Sequence, residues 1–306
     1  MKDAKMSLAS HLLKHLIITK TCGTTWQESS VSKDDHGKPC YISTNSKHVV
    51  DFNVSHQAGL VSLIASVGFK NQSGEGVRVE VGTDVVCANE RIKQDHAHID
   101  KSGFFDWVDM HGDVFAESEL SHMKLSPVPI VINTQEMKIF GYGNDALSRI
   151  QRRTGTTNIS YSDDDGEKKE LDLRNEEVVD KKLRRFYAHW CLREAYVKMT
   201  GEALLASWLK DLEITEVQAP DAIELAGPGL TDVNHVEKGA VKTDFSIIFK
   251  ERKVNDVKIE LTAFGSHYMV GAAIRIPRGF EQQIASGQWE WLDLERDVLE
   301  VAEAAI

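Results

Sequence analysis

Apolar residues recur at helical spacing near the start of the chain. Met6, Ala9, Leu12, Leu13, Leu16 and Ile17 predict an amphipathic helix over residues 5–18, with Asp3 placed to cap it. A polar stretch with a Gly37-Lys38-Pro39 turn follows. Strand-like runs come next at 49–54 and 59–67, with Ser55 and His56 expected in the turn between them. A third run, 77–86, alternates. Val77, Val79, Val81, Thr83 and Val85 line one face, and Glu80, Gly82 and Asp84 the other. Short helices are expected near 101–110 and 116–124, and a polar, turn-rich mobile loop over 154–172. A long helix should run from about Glu177 to Met199, followed by strands near 243–250, 257–264 and 267–276.

Two of these segments echo each other. FNVSHQAGLVSLIA at 52–65 and LTAFGSHYMVGAAI at 261–274 each read as a strand, a Ser-His pair and a second apolar strand. The echo predicts an α+β protein of two similar, pseudo-duplicated lobes, each an antiparallel sheet with a long packed helix. The expected lobes are 1–98 and 99–306.

Composition narrows the classes. The 306 residues are 42% hydrophobic and 27% charged, enough for about two ordinary domains. A formal charge of -11 argues against a general nucleic-acid binder. No apolar run approaches the roughly 18 residues of a membrane span, and no signal-peptide pattern opens the chain. Cys22, Cys40, Cys87 and Cys191 are scattered without a CxxC, which argues against a disulfide scaffold or thiolate zinc site and predicts a reducing, cytoplasmic setting. Basic residues cluster at Lys2, Lys5, Lys14 and Lys20, at Arg149, Arg152 and Arg153, and at Lys181, Lys182, Arg184 and Arg185. Each cluster reads as a local anion site or as a solvated helix face.

The helix from Leu183 to Gly201 carries the sharpest anomaly. Leu183, Phe186, Trp190 and Val197 share a narrow arc with Tyr187 close by, and Glu194 falls only about 40° from Trp190. A carboxylate in an apolar stripe is costly unless paired or bound to a metal. The plain alternative is an i,i+4 pair with Lys198. Asp84 ends a strand just after Gly82, either as a turn residue or as a ligand. An Asp and a Glu converging would make a hard-oxygen site suited to Mg²⁺. His56 and Ser55 could donate to phosphate oxygens, or be ordinary turn residues. His11 and His15 have a metal-capable i,i+4 spacing without an accompanying acid or thiol, and read as surface residues. His96 and His98 are equally unspecific. QSGEG at 72–76 is a turn and not a P-loop, and no G-x-S-x-G elbow occurs.

Taken in order, FNVSHQAGLV at 52–61, VGTDVV at 81–86 and FYAHWCLREAYVKMTG at 186–201 resemble the Sfp-type 4′-phosphopantetheinyl transferases. The third block matches through Trp190, Arg193, Glu194 and Lys198. GKPC at 37–40, DAKMSLASHLL at 3–13 and GEALLASWLKDLEI at 201–214 add to it, the last resembling fungal broad-range members. The resemblance implies transfer of the phosphopantetheine arm of coenzyme A to a serine of an apo carrier domain, releasing adenosine 3′,5′-bisphosphate. It implies coenzyme A binding in the first lobe, with the metal and the carrier on the second. Asp84 and Glu194 would hold Mg²⁺, and Glu194 would serve as the base. Lys198, Ser55 and His56 would hold phosphate oxygens. Lys38 and Pro39 match a position near the adenine nucleotide, and Lys2 and Lys5 would serve alone in place of the basic groups that grip the 3′-phosphate. Glu119 matches an acidic position behind the metal. Val86 stands where many bacterial members carry a second acid, and Gln57 is expected to complete the metal shell instead. Members usually carry some tens of residues before the DAK-like block, so the alternative is a truncated, non-catalytic module that binds coenzyme A or carrier domains. The implied partners are acidic carrier domains of fatty-acid, polyketide or nonribosomal-peptide synthases, or of aminoadipate reductase in lysine synthesis. They would dock on Lys181–Arg185 or Arg149–Arg153 of a monomer, with no nucleic acid and no membrane involved.

Overall fold

The structure is a computed structural model. It describes residues 2–34, 37–44, 49–129, 131–132, 135–136, 138–139, 142–162, 165–202, 206–222, 236–281 and 287–304. The first helix, α1 (Lys2–Cys22), is longer than the apolar pattern alone indicates. Asp3 lies inside its first turn instead of capping it, where its charge suits the positive end of the helix dipole. Met6, Leu16 and Ile18 anchor α1, which packs on a four-stranded sheet. That sheet runs in the order β1 (Ser32–Lys33), β2 (Pro39–Ile42), β3 (Val49–Gln57) and β4 (Leu60–Val67).

Ser55 and His56 lie within β3, opposite Ser62 and Val61, and not in a turn. The chain reverses instead at Ala58 and Gly59, both with positive φ. Polar side chains can stay in the strand because Ser55 finds partners on other elements, as described below.

The next strand, β5 (Val81–Cys87), is buried at all seven positions, so its alternating pattern does not mark a solvent face. It pairs with a strand from the far end of the chain, with Asp84 opposite Gly271. Helices α2 (Ile92–Ser102), α3 (Phe104–Asp109) and α4 (Glu117–Leu125) follow. The helix expected at 101–110 is broken at Gly103, whose φ of 96° ends α2 before α3 starts. After the short strands β6 (Val131–Ile132), β7 (Gln135–Glu136) and β8 (Lys138–Ile139) comes α5 (Tyr142–Arg149).

The expected mobile loop at 154–172 is instead a hairpin. Strand β9 (Thr156–Ser162) pairs in unbroken register with β10 (Lys168–Arg174). Its Thr, Ile and Tyr residues favour extended backbone, and Ile159 and Leu173 are buried together with Val178.

Helix α6 (Asn175–Thr200) is the spine of the molecule. Beyond it lie β11 (Leu212–Thr215), β12 (Lys238–Lys242), β13 (Ser246–Phe249), β14 (Arg252–Lys253), β15 (Val257–Phe264) and β16 (Tyr268–Arg275). The second large sheet has the order β12-β15-β16-β5 and is antiparallel at every pairing. α6 covers one face of it, and β5 also touches β3 and β4. The approach to α6 is so close that a Cβ on Gly82 would stand 2.1 Å from the Ala195 carbonyl oxygen.

This is an α+β architecture of antiparallel sheets with packed helices. A boundary at residue 98 does not separate the sheets, because β5 belongs to the second. The β3–β4 and β15–β16 hairpins share their strand-turn-strand form. Ser266 and His267 nevertheless fall in the turn, where Ser55 and His56 fall in the strand. A short C-terminal helix, α7 (Glu300–Ala304), returns to touch α1. No helix among the described residues is long and apolar enough to cross a membrane.

Candidate active site

Three elements converge on one point. β5 presents Asp84, β3 presents Ser55, and the last turns of α6 present Glu194 and Lys198. The Lys198 ammonium donates to Asp84 Oδ1 at 2.5 Å and to Ser55 Oγ at 2.9 Å. Ser55 Oγ in turn donates to Asp84 Oδ1 at 2.9 Å and accepts from the Val85 amide at 3.2 Å. One donor and two acceptor positions exhaust the hydroxyl, so Ser55 has a single orientation. Asp84 is 6% exposed and Ser55 5%. The same strand parity that turns Gly82 toward α6 turns Asp84 toward it.

Glu194 lies one turn before Lys198. Burial, and then the Asp84 charge, push its carboxyl above the ordinary range, while Lys198 pulls the other way. The ammonium bonds to Asp84, while Glu194 feels both charges without a direct ion pair to Lys198, so two carboxylates face one cation. Among the described residues no cluster of three His, Cys, Asp or Glu side chains could hold a metal by itself. The two carboxylates, Asp84 and Glu194, are the oxygen donors that could take part in holding Mg²⁺, which keeps waters and commonly takes one or two carboxylates together with substrate phosphates.

A cavity of about 770 Å³ opens at the C-terminal end of α6. Its wall includes Lys38, Arg78, Thr200, Arg275 and Arg278. Lys38 is buried and donates to the Met199 carbonyl at 3.0 Å, with Asp51 3.8 Å away. Arg78 bridges Asp51 and Asp34 at 2.8 and 2.9 Å, and Arg275 meets Glu80 at 2.9 Å. Sequence reading missed these arginines. They stand singly in strands and loops, and only the fold gathers them.

Other expected site residues lie elsewhere. Lys5 is exposed on α1, and Pro39 starts β2 half-buried. His56 is exposed, on the face of β3 opposite to Ser55. Gln57 is not drawn to Asp84. Its Oε1 accepts from the Cys87 amide at 3.2 Å and its Nε2 donates to Glu90 at 2.7 Å, tying β3 to the end of β5.

Glu119 acts as an anchor between elements. It is 2% exposed, and both its oxygens are engaged: by the Ala116 and Ile214 amides at 3.0 Å and by the Arg193 guanidinium. Burial opposes its charge, but His189, Arg193 and the Ile214 amide outweigh it and hold the carboxyl below the ordinary range. Arg193 also donates to the carbonyls of Leu209 and Leu212 at 2.6 and 2.8 Å. The residue before Glu194 thus fastens α6 to α4 and β11.

Much of the basic clusters is engaged inside the molecule, although Arg149, Arg152 and Lys181 remain exposed. Lys182 is fully buried and donates to the carbonyls of Lys124, Ser148 and Ile150. Arg185 does the same for His122, Ser126 and Pro127, Arg184 for Pro220 and Ser266, and Lys181 for Pro129. Arg152 donates to the carbonyls of Asp100 and Lys101, and Arg153 pairs with Asp100 and Glu176. These cations hold loops to α6 and α2.

Comparison with known proteins agrees with this geometry. Residues 1–68 match a family model described as 4′-phosphopantetheinyl transferase, N-terminal, and residues 146–247 match one described as the 4′-phosphopantetheinyl transferase superfamily. A 4′-phosphopantetheinyl transferase of Aureobasidium melanogenum is 37% identical over 304 residues, covering 98% of this chain and 85% of its own. 4′-Phosphopantetheinyl transferase 1 of Fusarium mangiferae is 33% identical, covering 99% and 80%. 4′-Phosphopantetheinyl transferase NpgA of Emericella nidulans is 30% identical, covering 97% and 82%. On this likeness, which spans nearly all of its length, the chain belongs to the 4′-phosphopantetheinyl transferase superfamily.

Proposed function

We propose that the chain transfers the 4′-phosphopantetheine arm of coenzyme A to a serine of acidic apo carrier domains, using Mg²⁺, in the cytoplasm. The Asp84–Ser55–Lys198 triad with Glu194 beside it carries this reading. The chain is proposed to act as a monomer. Carriers of fatty-acid, polyketide or nonribosomal-peptide synthesis, or of aminoadipate reductase, fit the reaction.

In the proposed reaction the carrier serine oxygen attacks the phosphorus bearing the pantetheine arm. The bond from that phosphorus to the bridging oxygen breaks, and adenosine 3′,5′-bisphosphate leaves with the electron pair. Glu194 takes the serine proton, directly or through water, and its raised basicity suits that task. Lys198 faces the charge that grows on the phosphoryl oxygens, and Ser55 fixes the ammonium in place. Asp84 and Glu194 would hold Mg²⁺, which supplies Lewis-acid polarisation of the pyrophosphate when bound. The cavity at the C-terminal end of α6 is the space proposed for the nucleotide. Its basic residues Lys38, Arg78, Arg275 and Arg278 are balanced by Asp34, Glu80, Asp256 and Glu281. Its position beside Met199 and Thr200, and not a net positive charge, supports the assignment.

Intact-mass measurement of an apo carrier domain after incubation with the chain, coenzyme A and Mg²⁺ tests the proposal. The expected result is a phosphopantetheine mass gain that Glu194→Gln abolishes. A gain of equal rate in Glu194→Gln would remove that residue from the reaction. Absence of a gain with several carriers, with coenzyme A still bound, would favour a non-catalytic binding module.

A further inference from the structure

A pair of histidines on α1 stands apart from the oxygen site. His11 and His15 stand one helical turn apart, with their Nε2 atoms 3.3 Å from each other and their rings edge-on at 4.7 Å. An ordinary N–H hydrogen bond closes to about 2.9–3.0 Å. Two nitrogens on one tetrahedral zinc, each about 2.0–2.1 Å from the ion, lie about 3.3–3.4 Å apart. The observed separation is that of a long N–H···N hydrogen bond, and it also equals the bite of two nitrogens on one metal ion.

One of the two ligands is already oriented. His15 Nδ1 lies 2.7 Å from Ser29 Oγ, and the Ser29 hydroxyl spends its only hydrogen on the Trp26 carbonyl at 2.5 Å. Ser29 must therefore accept from a protonated Nδ1, which leaves the lone pair of a neutral His15 on Nε2, facing His11. The fully buried Ser29 and the Trp26 ring stacked at 5.5 Å hold the imidazole in that pose. Fixing the distal nitrogen of a ligating histidine in this way is how outer-shell groups set metal ligands. His11 is exposed and free to complete the pair from the solvent side.

We propose that His11 and His15 form a two-nitrogen site for a borderline transition-metal ion, Zn²⁺ foremost, with water in the remaining positions. No third His, Cys, Asp or Glu joins them among the described residues, so the ion is exchangeable, and the neighbouring Lys14 weakens its binding further. Imidazole nitrogens select against Mg²⁺, which prefers oxygen. The two positions would thus sort two kinds of cation by ligand chemistry.

Calorimetric titration of the full chain with Zn²⁺, in saturating Mg²⁺ to fill the oxygen site, tests the proposal. His11→Ala should weaken Zn²⁺ binding by about tenfold or more. His11→Cys, which restores a ligand, should not, and Asp84→Asn should leave the binding event in place. Mg²⁺-dependent transfer by His11→Ala should equal that of the parent chain. Equal Zn²⁺ affinity in the parent and His11→Ala overturns the proposal. So does loss of the event in Asp84→Asn with retention in His11→Ala, or failure of the parent chain to bind Zn²⁺.

Discussion

Replacing Gly82 with alanine should damage stability and catalysis together, through backbone contact alone. An added Cβ would lie 2.1 Å from Ala195 O, 2.3 Å from Met199 N and 2.8 Å from Met199 Cα. Carbon–oxygen contacts in proteins close to about 3.3 Å, so β5 and α6 must separate by about 1 Å. Helix backbone cannot rotate away as a side chain can. The penalty therefore belongs at the upper end of the overpacking range, about 3 kcal/mol. At about 2–4 °C per kcal/mol for a domain approaching this size, Tm should fall by about 6–12 °C. The same displacement moves Asp84 on β5 away from Glu194 and Lys198 on α6, and misplacement by about 1 Å can lower turnover about 100-fold. Gly271→Ala is the matched control. Its Cβ would meet Cys191 O at 3.0 Å and Cys191 Sγ at 3.1 Å, which small shifts can absorb. Thermal unfolding and the carrier mass-gain assay would be run on both variants. If Gly82→Ala matched the parent in Tm and rate, or if Gly271→Ala were the worse of the two, close packing of α6 on β5 would not be what sets the site.

Lys198→Ala should lower turnover by about 100-fold by removing charge from the phosphoryl oxygens, as seen in single-turnover mass assays; a rate equal to the parent's would exclude that role. Lys182→Met, of similar shape, strips the donor from three carbonyls at a cost of about 1 kcal/mol each, or about 3 kcal/mol in all; an unchanged denaturant midpoint would show that the carbonyls find other partners. Burial, then His189 and Arg185, hold His122 down at about 4, against 6.5 for the ordinary group. Below pH 6.5 the unfolded chain therefore takes up the proton first, so this stabilisation is complete above 6.5 and is lost as the pH falls toward 4. Allowing for partial exposure, the loss is on the order of 1–2 kcal/mol. Denaturation midpoints measured from pH 7 to pH 4 should fall less steeply in His122→Gln than in the parent, and parallel curves would contradict the assignment.

Local patterns carried some of this architecture and not the rest. The helical arc of α6 exposed Glu194 as out of place because helical geometry depends only on neighbours in sequence. Asp84 stood out for the same reason, as an acid after a glycine in an apolar strand. Ser55 was misread as a turn residue because what holds it in β3 is Asp84, 29 residues away, and Lys198, 143 residues away. The polar 154–172 stretch read as a loop because its strands bury only a few side chains, Ile159 and Leu173 among them. Basic clusters on α6 read as docking surfaces because sequence cannot show that Lys182 and Arg185 point inward at carbonyls. Glu119 was noticed for its charge, but its partner Arg193 lies 74 residues on and makes it an anchor.

The placement of β5 has a consequence for how the chain is made. Its hydrogen-bonded neighbour β16 comes near the end of the chain, with Cys87 pairing with Tyr268. A ribosome adding about 5–20 residues per second needs about 9–36 s to bridge that interval. Throughout it, an apolar strand waits with an unsatisfied edge, along with the β3 and β4 surfaces it will help cover. A stalled or prematurely ended chain would therefore present a sticky β edge, and a pause between residues 90 and 260 should raise its dependence on chaperones more than a pause after residue 280.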